Sequence, residues 1–230
     1  MLRAIAGDGP LASSGRGPSS VGRDLIDKLG ITQEGSSRSN FRGVGVNAQR
    51  HSSRNSRGRV NLFAKVPNWK ISKAKSTREF LEQCGYKTAT GEMALNCTVT
   101  SSATNNQDLS LHVSADGKFL HESFAGTNIV SWEISTLQAL IPAECFRVVA
   151  TVSKRNDIEH FHYTTATYCK MRSRDVIRDL LQEGVITIDH LISSKGGKVV
   201  EKGPLFKIRP SNLGALYNET KFDLLEPDHP

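Results

Sequence analysis

The sequence predicts an α/β (α+β) fold, with one mixed central β-sheet flanked by helices. Three observations carry that expectation. The chain has 230 residues, 37% of them hydrophobic, which is enough to bury one sizeable core. Segments with helical spacing are interleaved with β-branched and alternating runs. No repeat is present, and no apolar run approaches the ~18–20 residues of a membrane-spanning helix. Residues 1–19, rich in Gly, Pro and Ser, read as a loose leader. Residues 20–218 read as the domain, and 219–230 as a tail.

The elements follow in order. Val21, Leu25, Ile26 and Leu29 share a helical face that Gly30 can stop. Phe41, Val44 and Val46 suggest a short strand. The Arg/Ser stretch from Arg50 to Arg59 reads as a loop, and Val60 to Ala64 as the next strand. Thr77 to Cys84 is predicted helical, with Ser76 as N-cap and Gly85 after it. Strands are expected around 94–100, 109–114, 118–124 and 128–133. Phe146 to Ser153 and His160 to Tyr168 flank the polar Lys154-Arg-Asn-Asp157, a hairpin signature. Arg174 to Gln182 is an amphipathic helix with Ser173 as cap and Gly184 as stop. Val185 to Leu191 alternates as a strand, and Pro210 opens a last short helix.

Charge is unevenly spread. The whole chain has 30 Lys+Arg against 23 Asp+Glu, a formal +7. Residues 1–75 carry 14 basic and 4 acidic side chains, and the rest 16 and 19. From Gly35 to Lys75 there are ten basic residues and no acid. A one-sign block of this kind attracts polyanions, and phosphate contacts release counterions, so nucleic acid is the expected partner. Four cysteines (Cys84, Cys97, Cys145, Cys169) sit at wide spacings, which excludes a zinc ribbon and reads as buried reduced thiols. His160 and His162 alternate on one strand face without a third ligand in sight, so they read as structural or solvent-facing histidines rather than a metal site. Trp69 and Trp132 read as packing residues, and Ser173 and Ser211 as helix caps.

Several short motifs then recur in one order. They are Val21-Gly-Arg-Asp-Leu25, Leu29-Gly-Ile31, Asn40-Phe-Arg-Gly-Val-Gly-Val-Asn47 and Asn61-Leu-Phe-Ala-Lys-Val-Pro67. Gly85-Tyr86, Ser131-Trp132, Phe161-His-Tyr163, Gly184-Val-Ile-Thr-Ile-Asp189 and Lys202-Gly-Pro-Leu-Phe-Lys-Ile208 follow. In that order, from about Ser20 to Tyr217, the chain resembles the MvaI/BcnI-type restriction endonucleases, relatives of the nuclease MutH. The resemblance implies a PD-(D/E)xK restriction-endonuclease-like fold. It also implies magnesium-dependent cleavage of double-stranded DNA at short CC-N-GG-like sites by a monomer. In that chemistry carboxylates hold the ion, the ion polarises the phosphate and the attacking water, and a lysine assists.

Here the family's Asp, Glu and Lys positions fall on Asn40, Gly45 and Asn47, and its supporting helix Glu on Ile26. An amide carries no charge, and glycine carries no side chain. The expectation is therefore a double-stranded DNA-binding pseudoenzyme that needs no cofactor and stays in a prokaryotic-type cytoplasm as a monomer. Arg38, Arg42, Arg50, Arg54, Arg57, Arg59, Lys65, Lys202 and Lys207 are the expected DNA contacts, arginine being suited to phosphate and guanine through its fork. By the resemblance, Lys207 stands where relatives usually carry arginine in a base-reading loop. Two alternatives stay open: an active enzyme with magnesium held by Asp24, Asp27 or Glu34, and a non-DNA interaction scaffold.

Overall fold

A computed structural model describes residues 1–17, 19–31, 39–41, 44–51 and 58–226, with the backbone alone at 39–41. The elements run α1 (Leu2–Gly7), β1 (Leu11–Ala12), α2 (Ser20–Lys28), β2 (Ser39–Phe41), β3 (Val44–Arg50) and β4 (Val60–Ala64). Next come α3 (Thr77–Cys84), β5 (Tyr86–Lys87), β6 (Met93–Val99), β7 (Leu109–Val113), β8 (Phe119–Phe124), β9 (Thr127–Glu133) and α4 (Ile134–Leu140). The chain ends with β10 (Glu144–Arg155), β11 (Ile158–Met171), α5 (Val176–Gln182), β12 (Ile186–Lys195), β13 (Lys198–Glu201), β14 (Leu205–Ile208), α6 (Leu213–Leu216) and β15 (Tyr217–Asp223). The expected mixture of helices and mixed sheet is present. The strands are shared between two units rather than forming one sheet. One unit spans Met1–Ser56, Pro142–Arg172 and Tyr217–Pro230, the other Arg57–Ile141 and Ser173–Leu216.

In the first unit a six-stranded sheet has the order β1-β11-β10-β3-β2, with β15 also on β11. β3 runs parallel to β10, and the other pairs are antiparallel. The β10–β11 hairpin turns at Asn156 and Asp157, both at positive φ, a backbone state these residue types tolerate. One sheet face packs on α1 and α2. Leu25, Ile26, Leu29, Val148, Phe161 and Tyr163 bury together there, with Val46 and Ala48 against them. Two segments differ from expectation. The leader forms α1 and β1, and Ile5 and Ala6 enter the same core. Residues 217–223 form β15 rather than a loose tail, because the edge of β11 satisfies their backbone groups.

In the second unit a six-stranded antiparallel sheet has the order β4-β14-β12-β6-β5, with β13 on β12. A three-stranded sheet β7-β8-β9 accompanies it. Alternation along β12 sends Ile186, Ile188, His190 and Ile192 inward and leaves Thr187, Asp189 and Leu191 on the open face. α3 starts at the expected cap, with the Ser76 hydroxyl accepting from the Glu79 N–H. Trp132 is a packing residue as expected: it meets Phe206 edge-on, and its Nε1 donates to the Lys65 carbonyl at 2.9 Å.

Candidate nucleic-acid interface

The hairpin β2–β3 places the first set of candidate residues. Asn40 pairs with Gly45 across the hairpin, and Asn47 lies two residues on along β3, on the same face as Gly45. The parallel register continues that face onto β10, with Cys145 beside Gly45 and Arg147 beside Asn47. A Cβ added at Gly45 would sit 3.2 Å from the Cys145 Cβ and 3.5 Å from Pro142. The register therefore puts Asn40 across from Gly45 and Asn47 two residues further on along β3. The groups that occupy them, and their described neighbours, do not suit a divalent cation. Glycine offers no ligand, asparagine no charge, and the nearby Arg147 is itself a cation. Glu219 reaches this face from β15, but its carboxylate accepts from Arg147 Nη2 at 2.7 Å.

Ile26 does not join them. It is 7% exposed and lies in the apolar cluster on the other face of β3, against which Val46 and Ala48 pack. The acids that might have substituted are placed elsewhere. Asp24 is buried, and its carboxylate accepts from the backbone N–H and hydroxyl of Ser14. Asp27 is exposed on α2, and Glu34 lies outside the described residues. Among the described residues no three His, Cys, Asp or Glu side chains come together as a metal site.

The basic residues divide by what holds them. Arg38, Arg42, Arg54 and Arg57 lie outside the described residues. Arg50 is committed within the protein. Its guanidinium bonds both oxygens of Glu159 at 2.9 and 2.7 Å, reaches the Gly17 carbonyl at 2.8 Å, and lies over the Phe161 ring. It thereby fastens the entry to α2 onto β11. Lys202 is exposed at the loop into β14. Gly203 in that loop has φ +77°, and a Cβ there would meet the Ala64 Cβ at 3.4 Å, so the turn favours glycine.

Arg59 and Lys207 meet on the open face of the second unit's sheet, around Asp189, the last residue of the Gly184–Asp189 motif. Asp189 Oδ1 is 2.8 Å from Arg59 Nη2, and Oδ2 is 2.8 Å from Lys207 Nζ. Thr98 donates to Oδ1 at 2.7 Å, and Arg59 Nη1 donates to Thr187 Oγ1 at 2.6 Å. Burial would raise the Asp189 carboxyl. The hydrogen bonds from Lys207 and Thr98 and the charge of Arg59 outweigh burial and hold it below the usual carboxylate range. Register explains the cluster, since Asp189 lies across from Thr98 and Thr187 across from Lys207. The one signal in the sequence was an acid on the polar side of an alternating strand. Lys65 follows β4 and lines a groove of about 400 Å³ with Val66, Asn68, Trp69, Lys70 and Glu133.

Other candidates are structural. His162 Nε2 contacts the Ala6 carbonyl at 3.1 Å, and His160 Nδ1 the Ile158 carbonyl at 3.1 Å.

Comparison with known proteins agrees with this architecture. Two solved structures titled "Restriction endonuclease MvaI-cognate DNA substrate complex" and "Restriction endonuclease MvaI in the absence of DNA" are similar. The first has 16% identity and a TM-score of 0.71, the second 15% and 0.55. Each match covers 96% of this chain and 94% of the other. A search of the curated proteins finds no match. The family description "MvaI/BcnI restriction endonuclease family" matches residues 1–217. With the match running over nearly its whole length, the chain belongs to the MvaI/BcnI restriction endonuclease family.

Proposed function

We propose that this protein binds double-stranded DNA and does not cleave it. The reading rests on the face of β3, where the resemblance puts the family's Glu and Lys positions on Gly45 and Asn47 and the register puts Arg147 beside Asn47. A guanidinium at this position suits a phosphate and opposes a divalent ion. The open face around Asp189 supports the binding half. Arg59 and Lys207 supply donors for phosphate or guanine, and the carboxylate between them is an acceptor suited to a cytosine amino group. The ten basic residues between Gly35 and Lys75 add long-range attraction. One related structure is titled as a complex with cognate DNA. On this reading the protein works as a monomer in the cytoplasm and needs no magnesium to bind.

The test is fluorescence anisotropy with a labelled duplex across a salt series. Binding whose affinity falls steeply and linearly in log salt is expected, because phosphate neutralisation releases counterions. Affinity that is absent at low salt, or flat across the series, would leave the fold as a scaffold for something other than DNA.

A further inference from the structure

The face of the first unit's sheet that carries Gly45 and Asn47 also holds two thiols. Cys145 on β10 and Cys169 on β11 are directly opposed in antiparallel register. Both are buried, Cys169 completely. Arg147 Nε lies 3.2 Å from Cys169 Sγ, and Glu219 fixes the same guanidinium from its other end at 2.7 Å. When protonated, Cys169 donates to the Thr167 carbonyl over a long 3.7 Å.

This surrounding splits the pair. The hydrogen bond from Cys145, with the Arg147 charge, outweighs burial and brings the Cys169 thiol down to about 7. The same hydrogen bond and burial push Cys145 up. The other two cysteines, Cys84 and Cys97, are both pushed up to about 12, by burial first and then by Glu122. Cys97 is nevertheless more exposed than Cys169. Exposure and charge environment thus favour different sulfurs.

We propose that Cys169 and Cys145 form a modification site for small hydroperoxides, Cys169 as the attacking sulfur and Cys145 as the resolving one. The Cys169 thiolate attacks one peroxide oxygen, the O–O bond breaks, and the departing hydroxide takes a proton to leave as water (or an alcohol from an alkyl hydroperoxide). Cys169 is then a sulfenic acid. The Cys145 sulfur attacks that sulfur, the S–S bond forms, the S–O bond breaks, and the hydroxide leaves as water with the Cys145 proton. Two thiols lose two electrons and the peroxide gains them. Opposed residues on antiparallel strands have Cβ atoms about 4.5–5.5 Å apart, which a small strand movement brings into the disulfide range. Cys169 has no exposed surface, so the attack requires a local opening of the sheet that admits a small hydroperoxide.

The experiment treats the whole chain with hydrogen peroxide near neutral pH, alkylates the remaining thiols and maps the peptides over time. The expected result is a loss of two hydrogens from the intact mass and a linked Cys145–Cys169 peptide, with Cys84 and Cys97 still alkylated. Cys145→Ser should stop at a dimedone-trappable sulfenic acid on Cys169, and Arg147→Gln should move the rate profile to higher pH. The wild-type time course decides even if a variant fails to fold. Oxidation that starts at Cys97, or that never links Cys145 to Cys169, overturns the proposal.

Discussion

Asp189 holds two of the cations assigned to DNA, so Asp189→Asn perturbs stability and binding in opposite directions. The side chains of Asp189, Arg59 and Lys207 are 13%, 26% and 21% exposed, which makes this a half-buried cluster. Removing one member of a fully buried ion pair costs about 3–5 kcal/mol, and an exposed one about 0–1 kcal/mol. Asparagine keeps an acceptor for Thr98, so the expected loss is about 1–2 kcal/mol, a fall of a few degrees in Tm. The pH dependence has a definite sign. The folded carboxyl lies below its unfolded value, so its stabilisation is present above the unfolded pKa near 3.9 and is lost as pH falls through the lower folded value. The variant should lack that acid-limb loss. Meanwhile Arg59 and Lys207 are released and one negative charge is gone. Binding to a random duplex should tighten at low salt and the log–log salt slope should steepen, because Arg59 and Lys207 then meet phosphate without a competing carboxylate between them. Urea melts from neutral to acid pH and anisotropy across salt measure both effects. An unchanged urea midpoint together with an unchanged salt slope would refute the reasoning, because the cluster would then hold neither the fold nor the cations.

Replacing Arg54, Arg57 and Arg59 with alanine should weaken binding to all sequences alike and flatten the salt slope; parent-like anisotropy curves would mean solvated surface charge. Ile26→Glu should cost more than about 3 kcal/mol, combining lost apolar burial with a carboxylate in an apolar cluster, and a chemical melt close to the parent's would misplace that side chain. Gly45→Ala should stay within about 1 kcal/mol of the parent, since relief of glycine entropy opposes the 3.2 Å approach to Cys145, and a larger loss by melting would show that the strands cannot part. Asn40→Asp, Gly45→Glu and Asn47→Lys together restore the family spacing and should confer magnesium-dependent nicking of plasmid; a folded, DNA-binding triple variant that stays inert would show that the geometry is not retained.

Local rules were legible in the sequence wherever neighbours along the chain decide the outcome. The helix Thr77–Cys84 with its Ser76 cap, the long hairpin around Asn156 and Asp157, and the strand Val60–Ala64 all rest on such rules. The misses came from tertiary partners. α1 is too short to form by propensity and exists because Ile5 and Ala6 find the core and the Ala6 carbonyl finds His162. β15 reads as polar tail until the edge of β11 takes its backbone. The split of the strands between two units depends on pairings that chain order does not dictate. At the candidate site, Asn40, Gly45 and Asn47 were legible as residue types. That Arg147 lies beside them, that Asp189 gathers Arg59 and Lys207, and that Arg50 is spent on Glu159 all follow from cross-strand register.

The central claim is binding without cutting, and the most direct test is supercoiled plasmid incubated with the purified protein and excess magnesium, followed by electrophoresis. The account predicts that the plasmid is retarded by bound protein and, after deproteinisation, returns fully supercoiled, with and without EDTA. Discrete fragments or nicked circles that form with magnesium and vanish with EDTA would contradict it.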